Sequence, residues 1–217
     1  MNLHQKRLGF LKSKGFSPKI IYDIGAHKGN WTNDAREIFP HSDFFLFEAN
    51  RIYEECLAEK KENHFIYLLG DEKKETIFYS LNTTGDSVFR ENTSHYSSPS
   101  VEERILEMQT LSSVIHKHNI PLPHLIKMDV QGAETLIIKG SPNVICQAEV
   151  VILETKVLEY NQGAPSLYET IDLMHSLHYA FSDILEFHYL TSGELNELDI
   201  LFIKKDSVFI PRGILNY

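Results

Sequence analysis

Several apolar runs in this chain close on an acidic residue and are separated by segments of helical spacing, and that alternation leaves few folds open. Residues 19–23 end at Asp23, 43–48 at Glu48, 122–129 at Asp129 and 149–154 at Glu154. Runs that are apolar throughout, not alternately, suit strands buried on both faces, and helical segments between them supply the covering layers. The chain therefore reads as an α/β protein with a largely parallel sheet. Helical spacing is read at about 3–14, 30–39, 51–61, 111–118, 133–139 and 166–177, and a further strand at 64–69. In the first helix Leu3, Leu8 and Leu11 are taken as the covering face. The middle departs from the pattern: strands at 76–80 and 104–110 flank a polar loop at 82–100. Two strands, 179–185 and 198–204, close the chain. No linker or repeat divides it, so residues 1–217 are read as one domain with a short N-terminal helix.

Composition narrows the partners. The 217 residues carry 30 acidic and 21 basic side chains, a formal charge of -9. Nucleic-acid binding leans on clustered cations, so no nucleic acid is expected as partner. No stretch is long and apolar enough for a membrane span, and a cytoplasmic protein is expected. Cys56 and Cys146 lack metal-ligand spacing and are read as reduced, mostly buried thiols.

Chemistry concentrates where strands meet helices. Asp23-Ile-Gly25-Ala26-His27-Lys-Gly29 joins the first strand to the first covering helix, where glycine permits a tight turn and a helix N-terminus can receive a carboxylate. The glycine spacing is not that of a dinucleotide fingerprint, so an amino-acid-like moiety fits better than a pyrophosphate. Glu48, ending the next strand, can accept both hydroxyls of a ribose. Lys127-Met-Asp129-Val-Gln131-Gly132-Ala-Glu134 gathers polar groups at the end of a central strand, where ligands bind in open parallel sheets. Taken singly, Lys127 suits a surface charge, Asp129 a helix cap and Glu134 a first-turn dipole partner. Trp31 and Phe44-Phe45-x-Phe47 are read as core.

These motifs, with Phe47-Glu48, Leu68-Leu69-Gly70-Asp71, Thr110-Leu111 and Asp199-Ile-Leu-Phe202, resemble the FkbM family of S-adenosylmethionine (SAM)-dependent methyltransferases over residues 20–204. Gln131 stands where many members carry Glu, and Ser112 where Thr-Leu-Asp is usual. The resemblance implies a class I, Rossmann-like methyltransferase fold, a three-layer sandwich around a seven-stranded, mostly parallel sheet with an antiparallel last strand. It also implies SAM as cofactor and methyl transfer to oxygen on a small-molecule, carbohydrate or secondary-metabolite acceptor. By position, Asp23, Gly25, Ala26 and Gly29 would line the methionine end, Glu48 would hold the ribose and Gly70 and Asp71 would flank the adenine. Asp71 suits a turn equally well.

An alcohol needs help to lose its proton, so a general base or a metal ion is expected. Asp129 is the candidate nearest the methyl group, Glu154 its neighbour on the next strand, and Lys127 the group that holds these acids ionised. The two carboxylates are also a candidate pair for a magnesium ion. His27, and His95 in the loop beside Tyr96, are possible acceptor contacts, and residues 85–98 a candidate lid. Two other readings remain open on sequence: a nicotinamide-nucleotide oxidoreductase, and a non-catalytic subunit that keeps the fold without the chemistry.

Overall fold

Helix α1 (Leu3–Ser13) begins in a reciprocal cap: Asn2 accepts from the Gln5 N–H and the Gln5 side chain from the Asn2 N–H. That cap sets the helix phase. His4, Leu8 and Leu11, spaced i, i+4, i+7, point inward, and Leu3 is turned outward, so the covering face begins on a histidine and not on Leu3. The chain then runs β1 (Ile20–Ile24), α2 (Asn30–Ile38), β2 (Asp43–Glu48), α3 (Glu54–Ala58) and β3 (Asn63–Ile66). The computed structural model describes residues 1–93, 96 and 101–210.

The strand read at 64–69 is in fact two. After β3 the Tyr67 N–H donates to the Glu48 carbonyl, and β4 (Leu68–Gly70) leaves for a second sheet with β5 (Lys74–Ser80) and β6 (Glu102–Thr110), ordered β4-β6-β5. Winding resumes with α4 (Leu111–His118), β7 (Leu125–Met128), α5 (Glu134–Gly140), α6 (Pro142–Ile145), β8 (Val150–Lys156) and α7 (Leu167–Ser176), and closes with β9 (Tyr179–Tyr189) and β10 (Leu195–Lys204).

The large sheet has seven strands in the order β3-β2-β1-β7-β8-β10-β9. β10 is antiparallel to both β8 and β9, and the strands from β3 to β8 pair in parallel. This is the mostly parallel sheet with an antiparallel last strand expected from the sequence. Successive side chains alternate between faces, so Tyr22, Ile24, Phe45 and Phe47 join one core cluster, and Ile21, Phe44 and Leu46 join the other. Trp31 is only half-buried, packing against the second cluster from its margin. Both cysteines are half-buried, not the mostly buried thiols expected. Among the described residues no helix is long and apolar enough to cross a membrane.

Register decides where the polar groups collect. Asp23 lies beside Lys127, Lys127 beside Ile152, Glu154 beside Asp199 and Asp199 beside Glu186. Paired residues share a face, and so do residues two apart. Asp23, Lys127, Asp129, Glu154 and Asp199 therefore form one polar stripe across the carboxyl ends of the strands.

Candidate active site

Asp23 ends β1 fully buried, its Oδ2 accepting from the Thr32 hydroxyl at 2.6 Å. Its Oδ1 finds no hydrogen-bond partner among the described residues, with the Lys127 ammonium 4.0 Å away. Burial raises the Asp23 carboxyl above its ordinary range, against the pull of Lys127 and Thr32. Past it the chain turns through left-handed backbone at Gly25, His27 and Gly29. A Cβ on Gly25 would stand 1.8 Å from the Asp129 carbonyl, so this glycine lets β1 and β7 converge at their ends. Gly25 and Ala26 both donate their N–H groups to the Phe47 carbonyl, hanging the turn on β2.

Glu48 is suspended between two backbone donors. Its Oε2 accepts from the His27 N–H at 2.7 Å and its Oε1 from the Asn50 N–H at 2.8 Å. Burial pushes this carboxyl up, and the two N–H groups oppose the shift. Each oxygen keeps a further lone pair, as a diol-binding carboxylate requires.

The turn and Glu48 open on a cavity of about 680 Å³. Its walls have two characters. Leu68, Leu69, Phe78, Val88 and Val130 make an apolar end; Glu48, Asp86, Asp129 and Gln131 a polar one. Gly70 and Asp71 are not in this lining: Gly70 is packed against Met108, and Asp71 accepts from Lys74 in the turn before β5. The residues just ahead of them, Leu68 and Leu69, occupy the wall. Gly29 is likewise outside the lining, where a Cβ would meet the Lys60 side chain at 2.6 Å, and Ala26 borders a neighbouring opening.

At the end of β7 the Lys127 ammonium sits 3.0 Å from Asp129 Oδ2. Burial is the largest single influence and raises the Asp129 carboxyl, but Lys127, the Glu154 side chain and Lys156 together outweigh it and hold the group well below the usual carboxylate range. Gln131, with φ at 54°, donates from Nε2 to Asp129 Oδ1 at 3.0 Å and to Glu154 Oε2 at 2.7 Å, and accepts from the Lys156 ammonium at 2.9 Å. Glu154 is raised well above its ordinary range, by burial first and Asp129 second, and pairs with Lys156, which also meets Glu197. The expectation of a magnesium ion shared by Asp129 and Glu154 finds no support here: an amide bridges the two carboxylates and an ammonium takes the second. Glu134 accepts from the Val130 N–H at 2.8 Å, closing the turn through Gln131 and Gly132.

Asp86 holds down the loop over the cavity. Its carboxylate accepts from the Asn50 amide at 2.6 Å, the Ser80 hydroxyl at 2.8 Å and the Leu81 N–H at 2.9 Å. Ser87 continues the anchoring, donating to the Gln131 carbonyl at 2.8 Å. The described part of the candidate lid is thus pinned to β2 and to the β7–α5 turn, and His95 lies outside the described residues. His27 borders the cavity with its ring 4.1 Å from that of Tyr53, and burial lowers its pKa. Sequence reasoning missed Tyr53, Asn50, Asp86 and the bridging role of Gln131.

His4, Glu186 and Asp199 also converge, with His4 Nε2 2.9 Å from Asp199 and 3.6 Å from Glu186. The Trp31 indole N–H donates to His4 Nδ1 at 3.2 Å, so in the neutral ring the proton sits on Nε2, facing Asp199. With its proton on Nε2, the neutral ring has no lone pair there to give a metal.

A family model described as the methyltransferase FkbM domain matches residues 23–181. Solved structures with the same fold include magnesium protoporphyrin IX methyltransferase from Synechocystis PCC 6803 with bound SAM (TM-score 0.52, 7% identity, covering 93% of this chain and 80% of that one). They also include fibrillarin from Aeropyrum pernix with natively bound SAM (TM-score 0.50, 10% identity, 85% and 66%). A third is TrmK from M. capricolum with S-adenosyl-homocysteine (SAH) (TM-score 0.50, 10% identity, 94% and 69%). A search of curated protein sequences finds no match.

Proposed function

This chain belongs to the FkbM methyltransferase family, and we propose that it is an enzyme that transfers the methyl group of SAM to a hydroxyl of a small-molecule or carbohydrate acceptor. The observation that carries the reading is Glu48, a carboxylate hung on two backbone N–H groups at a cavity wall that Gly25 and Asp129 also line. SAM or SAH bound in proteins of the same fold supports SAM as the methyl donor.

The residues divide the work as follows. Glu48 accepts the hydroxyls of a ribose, and Leu68, Leu69 and Val130 give an adenine ring its apolar bed. Asp23, expected at the methionine end, lies behind the lining of both openings; its Oδ1 faces the Lys127 ammonium at 4.0 Å and it steadies the turn without touching the ligand. When bound, SAM supplies an electrophilic methyl on a sulfonium sulfur, and its transfer leaves SAH. Lys127 keeps Asp129 ionised, which makes Asp129 a weak base but a constant hydrogen-bond acceptor. Its role is then to align the acceptor oxygen. As the new C–O bond forms and the S–C bond breaks, the oxygen becomes positively charged, and at that late stage even Asp129 can take the hydroxyl proton and pass it to water. Glu154, tied to Gln131 and Lys156, acts behind Asp129 and not on the acceptor.

The oxidoreductase alternative is set aside by the family match. Calorimetry with SAM, SAH and NAD tests the reading: SAM and SAH bind and NAD does not. Binding of NAD in preference to both would overturn it. A non-catalytic subunit would bind SAM and never convert it to SAH with any acceptor.

A further inference from the structure

A second opening of about 730 Å³ adjoins the cofactor cavity, the two sharing Gly25, His27, Thr84 and Asp129. Its far wall comes from α1 (Asn2, His4), the start of α2 (Trp31, Asp34), β9 (Glu186) and β10 (Asp199). Asn2, His4 and Glu186 lie outside residues 23–181, the stretch matched by the family model, whereas Trp31 and Asp34 lie within it and Asp199 belongs to the closing Asp199–Phe202 motif. Across the opening stand Lys127 and Asp129, the pair at which methyl transfer is placed.

The wall has a definite chemistry. Asp34, Glu186 and Asp199 bring three carboxylates. Asn2 donates to Asp34 at 2.9 Å, His4 approaches Asp199 and Glu186, and His188 stands 3.8 Å from Glu186. The lysine of the lining, Lys127, is committed to Asp129 and Asp23. The opening is therefore rich in hydrogen-bond acceptors and poor in free cations. Trp31, the single tryptophan of the chain, is fixed by its N–H on the buried His4. A half-buried indole beside carboxylates suits a ligand with an apolar face and donor groups around its edge, and an ammonium above all.

Resting on the methyl-transfer reading, we infer that this opening is the acceptor site and that it selects an amine-bearing polyol, of the aminosugar type, against acceptors carrying carboxylate or phosphate. The carboxylates steer the ammonium to the α1–β9–β10 wall and leave a neighbouring hydroxyl toward Asp129. Anions meet the like charge of that wall.

Trp31 is the reporter as well as a wall. With the protein saturated in SAH, Trp31 fluorescence is titrated with D-glucosamine, D-glucose and D-glucuronate. Glucosamine is expected to bind at least about tenfold tighter than glucuronate, a difference within reach of a few like charges gathered on one wall. Glu186→Gln and Asp34→Asn should each reduce that preference without changing SAH affinity by calorimetry. Equal binding of glucuronate and glucosamine, no Trp31 response to glucosamine, or a preference that survives both substitutions overturns the inference. Failure of the wild-type protein to bind SAH is a separate result, and it strikes the methyltransferase reading itself.

Discussion

Glu48 is the residue on which two jobs meet. It ties the Gly25 turn to β2 through the His27 N–H and faces the cavity with its remaining lone pairs. Replacing it with Gln keeps the shape but sets an amide NH₂ against one of two backbone donors that cannot turn away. Both the turn and the ribose contact suffer, and a lost charge-assisted bond with a buried donor left over costs about 1.5–3 kcal/mol. Glu48→Gln is expected to weaken SAM binding about 10- to 100-fold by calorimetry; unchanged affinity would show that the ribose lies elsewhere. This residue was legible in sequence because an acid ending an apolar strand is costly without a purpose. Gln131, Asn50 and Asp86 were not. The Asn50–Asp86 and Gln131–Glu154 hydrogen bonds join residues 36 and 23 positions apart, and an amide or loop acid gives no sign in sequence of which distant carboxylate it will meet.

At the scale of elements, the ends of β1 and β7 approach more closely than side chains permit. Gly25 sits at φ 79°, with the Asp129 carbonyl where a Cβ would be. Gly25→Ala must either part the strands or flip the turn, and should cost more than ~3 kcal/mol in urea unfolding. A loss below ~1 kcal/mol would mean that the turn relaxes without the strands. The next turn, from β7 to α5, carries a titration. Burial raises Glu134 from its ordinary 4.5 to about 7, against the Val130 N–H that lowers it. Because the folded value lies above the unfolded one, the stability this group contributes is full below about 4.5 and is lost as pH rises through about 7. Glu134→Gln keeps the Val130 hydrogen bond and removes the buried charge. It should raise the melting temperature at pH 8 and leave it nearly unchanged at about pH 4, below the unfolded value; a less stable variant at pH 8 would contradict this account.

The same scale explains which elements could be read in advance. β1, β2, β7 and β8 are apolar on both faces, so their composition alone identified them. The break at Tyr67 could not be read that way. No glycine or proline falls between Asn63 and Leu69, and what divides the run is the Tyr67 N–H pairing with Glu48 as β4 turns to meet β6. The phase of α1 was misread for a similar reason: the Asn2 cap and the partners of His4 on Trp31 and Asp199 fix which residues face inward.

For the whole molecule the deciding quantity is charge, because this fold serves many chemistries and cannot name an acceptor. TrmK and fibrillarin share the architecture at 10% identity, a likeness that extends to the fold alone. Binding a polyphosphate chain takes a track of Lys and Arg whose counterion release supplies the affinity. Here the net charge is -9, and the opening beside Asp129 carries Asp34, Glu186 and Asp199 on its wall. An RNA would have to pass that wall to reach the methyl group. In a gel-shift titration at about 0.15 M salt, bulk tRNA should remain unshifted up to about 10 μM protein, a concentration at which nonspecific nucleic-acid binders already shift. Lowering the salt to about 0.05 M should not rescue binding, since the repulsion lengthens its reach as screening weakens. A retarded band that strengthens steeply as salt falls would reveal a cationic surface that the described residues do not form around this site, and would return polyanions to the list of acceptors.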